Sequence, residues 1–573
     1  MQALKRDFVV RFAGEGGQGV VTAAEALAQA ASQVGYHVMT YATFPSQIQG
    51  GPTWTQSRIS VTPVQSNGDD LDVLVAFNKE AYEEHRVDVR KSGVILYDSA
   101  AFKLEAHTSA LGIPFDQLGR STGNLRAGNM VVLGALASLV AWPDHYLNEF
   151  VAKRFSRGRA GDDEIIKQNI QGLALGRQEV AKSSFSLGRL AAPNPPKIDQ
   201  ILVKGNEALS LGALAAGVDT FVGYPISPAT TILVFMERNL LGPGKFVTQA
   251  SSEIESINAV MGAGFSGKKA MTSTAGPGLS LMHEAIGLGW MAEIPAVIVD
   301  VQRGGPATGL PTKTEQSDLL NALSPAHGDT RLPVIAPGTV EECFYAAVHA
   351  FNWSERYQGP VMLLTEMMLA ERAQNIPTPA LEKLRIESRQ VYRGTNGYQR
   401  YDGRGVSPMP VPGGPGAYVA NASEHDPSGD TTHLPARHIQ MTERRFAKLK
   451  LLNDGTYEAR NTDAPIAVLP WGGSKGPTQE AYEVLMAQGL EVGWYYTMFL
   501  HPLPPGLLEE LKRKEMVLVP ELNYMGQFSS VLRSLGVRAE SITQYTGLPF
   551  TVGHLVTKIT EKVKERKGEK VTA

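Results

Sequence analysis

The sequence predicts a multidomain α/β protein with doubly wound, mostly parallel sheets. The first observation behind this prediction is a series of short runs that are rich in β-branched residues and bounded by turns, as buried parallel strands are. The second is that segments with helical spacing alternate with these runs. The third is the length of the chain, 573 residues, which is enough for about three or four domains.

The predicted N-terminal domain covers residues 1–190. The strand "FVVRF" opens it, a glycine-rich turn follows, and an alanine-rich helix spans residues 20–35. Further strands are predicted at residues 72–77 and 93–98. The segment "AAPNPPK", residues 191–197, is predicted to be a linker, because its prolines cannot continue a helix or a central strand.

A second domain is predicted over residues 198–375, a loop-rich interdomain segment over residues 376–460 and a third α/β domain over residues 461–573. Residues 405–430 are dense in Pro, Gly, Asn and Asp, and a run of this kind inside a folded protein indicates an interface loop or a linker. The second domain contains four strand patterns, which lie at residues 219–224, 245–249, 268–274 and 296–302.

The composition excludes several functional classes. A net charge of −3 gives no reason to expect nucleic acid or an anionic membrane as a partner. Cys343 is the single cysteine, so the chain forms no internal disulfide and cannot ligate an iron–sulfur cluster alone, which takes about four cysteines. Because no signal peptide or membrane-spanning stretch is recognisable, we expect a cytoplasmic protein. We also expect no metal site within this chain.

The motif "GEGGQG" has the G-x-G-x-x-G spacing of a dinucleotide-binding turn, with Gly14, Gly16 and Gly19 in register. A dinucleotide site also needs an acidic residue about 20 positions later to hold the ribose hydroxyls. No Asp or Glu occurs between Glu25 and Asp69, which disfavours NAD and FAD. Two interpretations stay open: a turn whose N–H groups hold another phosphate-bearing ligand, and a purely structural turn.

Polar segments follow the predicted strands of the second domain. Ligands bind beyond the carboxyl ends of the strands in an open α/β sheet, so we expect these segments to converge. In "YPISPAT", Ser227 lies between two prolines. In "QASSEIES", Ser252 and Glu255 have the spacing of a capping box. That spacing gives Glu255 a structural role and leaves Glu253 unassigned.

Two more segments complete this set. "TSTAGPGLSL" predicts a strand, a polar glycine turn and a helix, and Arg303 ends a buried strand just before two glycines. A guanidinium there can bind a carboxylate with two hydrogen bonds. Each of the four segments also has a structural explanation: a proline-stiffened loop at Ser227, a charge on the helix dipole at Glu253, a tight turn, and an interdomain salt bridge at Arg303.

Taken together and in this order, the segments resemble the alpha-type subunit of the 2-oxoacid:ferredoxin oxidoreductases with a gamma-type domain fused at the N-terminus. The resemblance covers nearly the whole chain. "GEGGQGVV", "PSQIQGGP" and "GNMVVLGAL" are similar to the gamma-type domain. "GYPISP", "SSEIESINAVMGA", "TAGPGLSLM" and "QRGGPATGLPTKTEQSDL" are similar to the domain that binds the aminopyrimidine of thiamine diphosphate. "GVSPMPVPG" and "SEHDPSGD" resemble the interdomain segment, and "VPELNYMGQF" resembles the transketolase C-terminal-like domain.

The resemblance implies oxidative decarboxylation of a 2-oxoacid with thiamine diphosphate, coenzyme A and ferredoxin. By position, Glu253 matches the catalytic glutamate that hydrogen-bonds the aminopyrimidine and favours its imino tautomer. Arg303 matches the arginine that binds the substrate carboxylate. Ser227 falls where the family usually has threonine, so the substrate-binding hydroxyl is kept and the methyl is lost. The implied cofactor-binding residues are Tyr224, Pro225, Ile226 and Glu253, and the candidate coenzyme A-binding residues are Gly14, Gly16, Gly17 and Gly19.

The diphosphate half of a thiamine site is missing from the chain. In the family that half uses a G-D-G motif and a downstream pair of Asn residues to hold Mg²⁺, and "AGDDEIIKQN" lacks both the third glycine and the Asn pair. The resemblance therefore implies a beta-type partner subunit that carries the diphosphate, Mg²⁺ and a 4Fe–4S cluster. It further implies an (alpha–beta)₂ heterotetramer that reduces ferredoxin.

Three alternatives remain for the function. The gamma–alpha fusion favours 2-oxoglutarate as the substrate, and pyruvate, an aryl pyruvate or a branched-chain 2-oxoacid is the alternative within the same family. A non-catalytic scaffold or coenzyme A-binding subunit is the alternative of another class, against which the presence of Glu253 and Arg303 speaks. A nucleotide-dependent dehydrogenase is disfavoured by the missing ribose acid.

Overall fold

The computed structural model describes residues 4–45, 50–104, 109–194, 198–394, 397–403 and 405–568. Residues 46–49 of "PSQIQGGP" and residues 195–197 of the predicted linker lie outside the described residues. The chain forms two compact α/β units, which are residues 1–203 with 372–378 and residues 204–371 with 379–573. The finer division into five segments stays a prediction.

Strands and helices alternate in the N-terminal part of the chain. The first long helix begins after Gly19, whose φ of 87° lies in the left-handed region that favours glycine. The strands are β1 (Leu4–Lys5), β2 (Asp7–Glu15), β3 (His37–Thr43), β4 (Pro52–Ser60), β5 (Leu71–Ala76), β6 (Val89–Asp98), β7 (Ala110–Ile113), β8 (Arg189–Leu190) and β9 (Gln200–Lys204). The helices are α1 (Val20–Gln33), α2 (Lys79–His85), α3 (Phe115–Ser121), α4 (Gly128–Leu139), α5 (Asp144–Phe155) and α6 (Asp162–Ala181).

The middle of the chain repeats this alternation. Its strands are β10 (Thr220–Gly223), β11 (Phe246–Gln249), β12 (Ala270–Thr274), β13 (Ala296–Gln302), β14 (Val334–Ile335), β15 (Pro360–Glu366) and β16 (Ala373–Pro377). Its helices are α7 (Gly205–Ala215), α8 (Thr230–Asn239), α9 (Glu253–Phe265), α10 (Gly276–Met291), α11 (Leu319–Leu323), α12 (Val340–Tyr357) and α13 (Met367–Glu371). The four strand patterns predicted for the second domain thus correspond to β10, β11, β12 and β13.

The C-terminal part begins with a long loop-rich stretch and ends in alternating elements. Its strands are β17 (Glu458–Arg460), β18 (Ile466–Val468), β19 (Gly493–Tyr496), β20 (Phe499–His501), β21 (Met516–Glu521) and β22 (Ala539–Thr543). Its helices are α14 (Pro435–Ala447), α15 (Lys475–Ala487), α16 (Leu507–Arg513), α17 (Gln527–Ser534) and α18 (Val552–Lys567). Within residues 405–430 the described backbone forms isolated bridges but no helix or strand.

The first unit contains an eight-stranded sheet in the order β7-β6-β5-β2-β4-β3-β16-β9. β2, β5, β6 and β7 pair in parallel, and the sequence predicts the first three of these strands. β4 lies between β2 and β3 and is antiparallel to both. Hydrophobic patterning does not reveal β4, because its buried side chains include Thr53, Thr55, Gln56 and Ser57.

Helices α4 and α6 of the first unit touch each other at the backbone. A Cβ atom on Gly134 would lie 2.0 Å from the carbonyl oxygen of Leu173, and one on Gly176 would lie 1.9 Å from that of Val131. Only glycine permits so close an approach. The contact fixes the two helices as one layer, which is relevant because both border the cavity described below.

The second unit contains a seven-stranded sheet and a five-stranded sheet. The larger has the order β11-β10-β12-β13-β15-β14-β20, with β20 antiparallel to β14 and all the other neighbours parallel. The smaller, which we call the C-terminal sheet, has the order β17-β19-β18-β21-β22. Every residue of β12, β13 and β15 is buried, as expected of strands with helices on both faces.

A buried carboxylate, that of Glu293, anchors the loop-rich segment to the rest of the second unit. Glu293 pairs with Arg444 at 2.9 Å and with Lys448 at 2.8 Å, and Arg400 lies 3.9 Å away. Although burial favours the neutral acid, these three cations hold the pKa of Glu293 down at about 2. A buried ion pair of this kind fixes geometry, since removing one partner leaves an uncompensated charge.

Two further findings concern the described part of the chain. None of its helices has the length and apolar character that a bilayer crossing requires. None of its side chains forms a group of three or more His, Cys, Asp and Glu that could hold a metal ion. Cys343 is buried within α12.

Candidate active site

Four polar segments of the second unit lie at one edge of its larger sheet. β11, β10, β12 and β13 are consecutive neighbours and run parallel, so their carboxyl ends lie on the same side. Tyr224 follows β10, α9 follows β11, α10 follows β12 and Arg303 follows β13. The structure therefore places all four segments at a common edge.

Arg303 is held beside Ser227 by a hydrogen bond. Its Nη1 donates to the main-chain carbonyl oxygen of Ser227 at 2.7 Å. The side chain is buried, and within the described residues its Nε has no acceptor. Burial lowers the pKa of Arg303, and the carboxyl of Asp318 opposes that shift. A guanidinium that keeps an unpaired N–H in a buried place is suited to a carboxylate ligand.

The loop after β10 presents polar and aromatic groups at the same edge. Ser227 and Tyr224 are exposed, whereas Pro225 and Ile226 are half-buried. The Ser227 hydroxyl makes no hydrogen bond to any residue that the structure describes. The loop thus offers a hydroxyl and a ring that other parts of the chain do not use.

Glu253 is the first residue of α9 and is 6% exposed. A Cβ atom on Gly278 would lie 2.7 Å from its Oε1 and 2.1 Å from Oγ1 of Thr274. The carboxylate therefore lies against the first turn of α10, where only glycine leaves room for it. Glu253 makes no hydrogen bond or ion pair to the described parts of the chain, so its oxygens remain available to a ligand.

The start of α9 shows how Glu253 and Glu255 divide their roles. The Ser252 side chain accepts a hydrogen bond from the Glu255 N–H at 3.2 Å, which is the predicted N-cap. The Glu255 carboxylate accepts from both N–H and Oγ of Ser251, at 2.7 and 2.6 Å, rather than from Ser252. The capping contact is thus displaced by one residue, and Glu255 remains the structural carboxylate.

A buried pair of carboxyl groups, Asp300 and Asp318, lies at the same edge. Burial raises the pKa of Asp300, and the neighbouring Asp318 raises it further. Burial and then Glu315 raise the pKa of Asp318 to about 6, against the opposing effects of Asp300 and Arg303. Two neighbouring buried carboxyls do not both ionise readily, so burial and proximity together disfavour the doubly charged pair.

The sequence contains a signal for this pair that motif reasoning missed. Asp300 interrupts the apolar strand "AVIVDVQ", and a carboxylate in a buried strand is rare unless it is paired or protonated. Asp318 lies after a long loop, so its proximity to Asp300 is not evident from spacing. A Cβ atom on Gly276 would lie 2.8 Å from Oδ2 of Asp318, which explains the first glycine of "GPGLSL".

The glycine turn of the first unit is built for close packing. A Cβ atom on Gly14 would lie 2.5 Å from Oε1 of Gln18, and one on Gly19 would lie 2.6 Å from Oδ1 of Asn129. Gly17 and Gly19 have φ values of 98° and 87°, in the region that favours glycine. Three of these glycines are therefore required by the structure of the turn itself.

A cavity of about 930 Å³ opens beside this turn. Gly17 and Gly19 line it, whereas the other two candidate glycines, Gly14 and Gly16, are not among its lining residues. The cavity lies at the N-terminus of α1, where the N–H groups and the helix dipole favour an anion. Three arginines also line it: Arg126, Arg154 and Arg157. The arrangement is suited to a phosphate-bearing ligand.

The topology around the glycine turn differs from that of a dinucleotide-binding fold. In such a fold the strands before and after the first helix are parallel neighbours, and the second ends in the ribose-binding acid. Here β4 separates β2 from β3, and β3 ends at Thr43. The strand order and the missing acid thus lead to the same conclusion, that this turn does not hold NAD or FAD in the usual way.

Two family models match the chain. The one described as "Pyruvate flavodoxin/ferredoxin oxidoreductase, thiamine diP-bdg" matches residues 211–444, which include Ser227, Glu253 and Arg303. The one described as "Pyruvate ferredoxin/flavodoxin oxidoreductase" matches residues 9–179, which include the glycine turn. Both matches fall on the parts of the chain that carry the motifs.

Full-length relatives extend this similarity. The chain is 30% identical to 2-oxoglutarate oxidoreductase subunit KorA of Mycobacterium tuberculosis, over 95% of this chain and 89% of the relative. It is 27% identical to subunit alpha of 2-oxoacid:ferredoxin oxidoreductase 2 of Aeropyrum pernix, over 98% and 99% of the two chains. Its structure is similar to that of a 2-oxoglutarate:ferredoxin oxidoreductase from Magnetococcus marinus with 2-oxoglutarate, coenzyme A and succinyl-CoA bound. That match has a TM-score of 0.92 and 35% identity and covers 98% of this chain and 100% of the other.

We expect the Asp318→Asn variant to gain stability over the wild-type chain as the pH rises from 4 to 7. The pKa of Asp318 is about 6 in the folded protein and about 3.9 in an unfolded chain. Between these values the folded state keeps a proton that the unfolded chain releases, so wild-type stability falls with rising pH. Asn cannot ionise and avoids this loss, which is on the order of 1–3 kcal/mol. Urea unfolding at both pH values measures it.

Glu255 provides the control of opposite sign. Its hydrogen bonds to Ser251 lower its pKa, so its contribution to stability is present above the unfolded pKa and is lost as the pH falls. Glu255→Gln should therefore lose stability relative to the wild type as the pH rises. An Asp318→Asn difference in stability that is the same at pH 4 and pH 7 would contradict the raised pKa of Asp318.

Proposed function

Because the chain belongs to the 2-oxoacid:ferredoxin oxidoreductase family, we propose that it supplies the pyrimidine- and substrate-binding part of an active site for oxidative decarboxylation of a 2-oxoacid. The observation that carries this proposal is the placement of Glu253 and Arg303 at one edge of the same parallel sheet. One is a buried carboxylate and the other a buried guanidinium with an unpaired N–H. A cofactor ring and a substrate carboxylate call for these two groups.

The residues at this edge fit thiamine diphosphate. The cofactor's aminopyrimidine needs a carboxylate that can share a proton with a ring nitrogen, and Glu253 has oxygens that the described chain does not use. When bound, thiamine diphosphate supplies the carbon nucleophile for the 2-oxo group and accepts the electrons left as carbon dioxide departs. In this proposal Glu253 holds the ring-nitrogen proton, while Tyr224, Pro225 and Ile226 flank the ring.

The proposed substrate is 2-oxoglutarate, and Arg303 and Ser227 are its proposed ligands. Arg303 binds the carboxylate next to the 2-oxo carbon, and the Ser227 hydroxyl donates a hydrogen bond beside it. The names of the KorA relatives and the ligands of the Magnetococcus structure support this substrate. Pyruvate and other 2-oxoacids are the alternatives within the family, and a comparison of kcat/KM among them distinguishes these cases.

The proposed partner is a beta-type subunit that carries the diphosphate-binding half of the site, Mg²⁺ and a 4Fe–4S cluster. The single cysteine of this chain supports a partner for the cluster. Relatives are named as alpha subunits, which supports an assembly of several chains. We propose an (alpha–beta)₂ heterotetramer in the cytoplasm that passes electrons to ferredoxin.

Coenzyme A is the proposed ligand of the cavity beside the glycine turn. Its phosphates would lie near the N-terminus of α1 and the three lining arginines. Coenzyme A bound in the Magnetococcus structure supports this assignment of the ligand. Gly17 and Gly19 line the cavity and are proposed to contact coenzyme A directly. Gly14 and Gly16 are proposed to contribute to coenzyme A binding by shaping the turn.

We expect Glu253→Gln to lower activity strongly. The assay is 2-oxoglutarate- and coenzyme A-dependent reduction of a viologen dye by the chain co-expressed with its beta-type subunit. Because glutamine cannot exchange a proton with the ring nitrogen, kcat should fall by roughly 10²–10⁴-fold. Glu255→Gln, the same change two residues along the same helix, should retain nearly full activity. Full activity of Glu253→Gln would contradict the proposed role and would favour a scaffold function.

We also expect arginine substitutions in the cavity to weaken coenzyme A binding. Arg126→Ala, Arg154→Ala and Arg157→Ala should each raise the KM for coenzyme A by roughly 3–10-fold, since each removes one charged contact to phosphate. The KM for the 2-oxoacid should not change. Arg86→Ala removes an exposed arginine that does not line the cavity and is the matched control. An unchanged KM for coenzyme A in the triple variant would refute this site.

A further inference from the structure

The strand end that carries Arg303 is bracketed by a return segment, residues 313–318. The N–H of Gly304 donates to the carbonyl oxygen of Lys313 at 3.1 Å. On the other side of Arg303, the Oε1 of Gln302 accepts from the N–H of Asp318 at 3.0 Å. Gly304 through its backbone and Gln302 through its side chain are therefore tied to the same short segment, so the position of that segment influences where the guanidinium lies.

Gln316 fixes the return segment to the C-terminal sheet. Its N–H donates to the carbonyl oxygen of Leu522 at 2.7 Å, and its Oε1 accepts from the N–H of Leu522 at 3.0 Å. Its Nε2 donates to the carbonyl oxygen of Trp471 at 2.9 Å. The side chain is fully buried. A buried amide with donor and acceptor both satisfied holds a single position, because any other leaves polar atoms unpaired.

The motif "VPELNYMGQF" supplies the other half of this attachment. Asn523 donates through Nδ2 to the carbonyl oxygen of Gln316 at 2.9 Å. Gln527 donates through Nε2 to the carbonyl oxygen of Ser317 at 2.6 Å and accepts from the N–H of Leu320 at 3.0 Å. The motif itself is rigid, since Glu521 accepts from the first N–H groups of α17 at 2.8 and 3.0 Å.

The loop "WGGS" leaves space for the Gln316 amide. Gly472 has a φ of 53°, and a Cβ atom on it would lie 2.6 Å from Nε2 of Gln316. Any other residue at position 472 would push the amide away from the carbonyl oxygen of Trp471. The glycine, the amide and the motif of the C-terminal sheet therefore form one fitted contact.

We propose that Gln316 is a positioning residue that sets the affinity for the 2-oxoacid by fixing, from the C-terminal sheet, the segment that brackets Arg303. This inference rests on the proposed role of Arg303 in binding the substrate carboxylate. It gives the C-terminal sheet a function in substrate binding although that sheet lies outside the residues proposed to touch the substrate. Gln527 acts in the same way through Ser317 and Leu320.

The first test separates KM from kcat in the complex with the beta-type subunit. Gln316→Leu approximately keeps the size of the side chain and removes its two side-chain hydrogen bonds, to Trp471 and from Leu522. It should raise the KM for 2-oxoglutarate by roughly 10–100-fold, because small displacements of a binding group have effects of this size. The KM for coenzyme A should stay within about twofold, which a general loss of folding would not produce. Gln527→Leu should act in the same direction and serves if Gln316→Leu does not fold.

Asn352 offers a matched control. It is a buried amide that also clamps backbone by two hydrogen bonds, to Arg385 at 2.7 Å and from Glu387 at 2.9 Å. Asn352 lies on α12, its two partners lie in the loop that follows β16, and none of the three belongs to the return segment. Asn352→Leu should therefore leave the KM for 2-oxoglutarate within about twofold of the wild type, while it lowers stability as the Gln316 variant does.

The second test does not depend on activity. Hydrogen exchange of the full chain reports the amides of Gly304 and Asp318, whose hydrogen bonds hold the bracket closed. Gln316→Leu should speed their exchange by about tenfold or more, and Asn352→Leu should not. The inference would be overturned if Gln316→Leu changed neither the exchange of these amides nor the KM for 2-oxoglutarate. If Arg303→Met raised that KM in the same assay, the proposed role of Arg303 would still stand. An inactive wild-type complex would refute the proposed function, and the exchange result would still decide the positioning.

Discussion

Parallel pairing of β10, β11, β12 and β13 is the constraint on which the candidate site depends. Because parallel strands end on the same side, residues far apart in the sequence meet at one edge without any long-range motif. Helices α9 and α10 start directly after two of these ends, so Glu253 comes to lie against Gly278. The strand end at Arg303 comes to lie against the loop of Ser227. The rest of the second unit supports this edge.

The charges at this edge are balanced so that Arg303 can still attract a ligand. The carboxyl of Asp318 acts directly on the guanidinium, and Asp300 is the buried neighbour of Asp318. Burial raises the pKa of both acids, which disfavours two negative charges beside Arg303. Within the described residues the Nε of Arg303 has no acceptor, so it stays available for a carboxylate. In this account the reduced charge of the acid pair favours substrate binding, although neither acid is proposed to touch the substrate.

The elements that follow from local sequence could be predicted, and those that depend on distant partners could not. The strands β10 to β13 and the Ser252 cap follow from hydrophobic runs and from spacing. The position of Arg303 at a strand end follows from the same pattern. In contrast, β4 has polar buried side chains, and β16 pairs with β3 across more than three hundred positions. The contact between Gln316 and Leu522 joins segments whose sequences give no hint of each other.

The same limit applies to the two candidate ligand sites. Motif resemblance proposed Glu253, Arg303 and Ser227 as site residues because each lies in a short, specific segment. Of the arginines beside the glycine turn, Arg126 precedes α4, Arg154 lies in α5 and Arg157 follows α5. Only the fold brings them together. The family is shown by the relatives and the solved structure, and the roles of individual residues are what remains to be measured.

The central claim is that this chain holds one half of an active site that a beta-type subunit completes. The most direct measurement is a titration of separately purified beta-type subunit into this chain, followed by viologen reduction with 2-oxoglutarate and coenzyme A. The account predicts no activity from either chain alone and a rise to a plateau at equimolar amounts. Full activity from either chain without the other would contradict it.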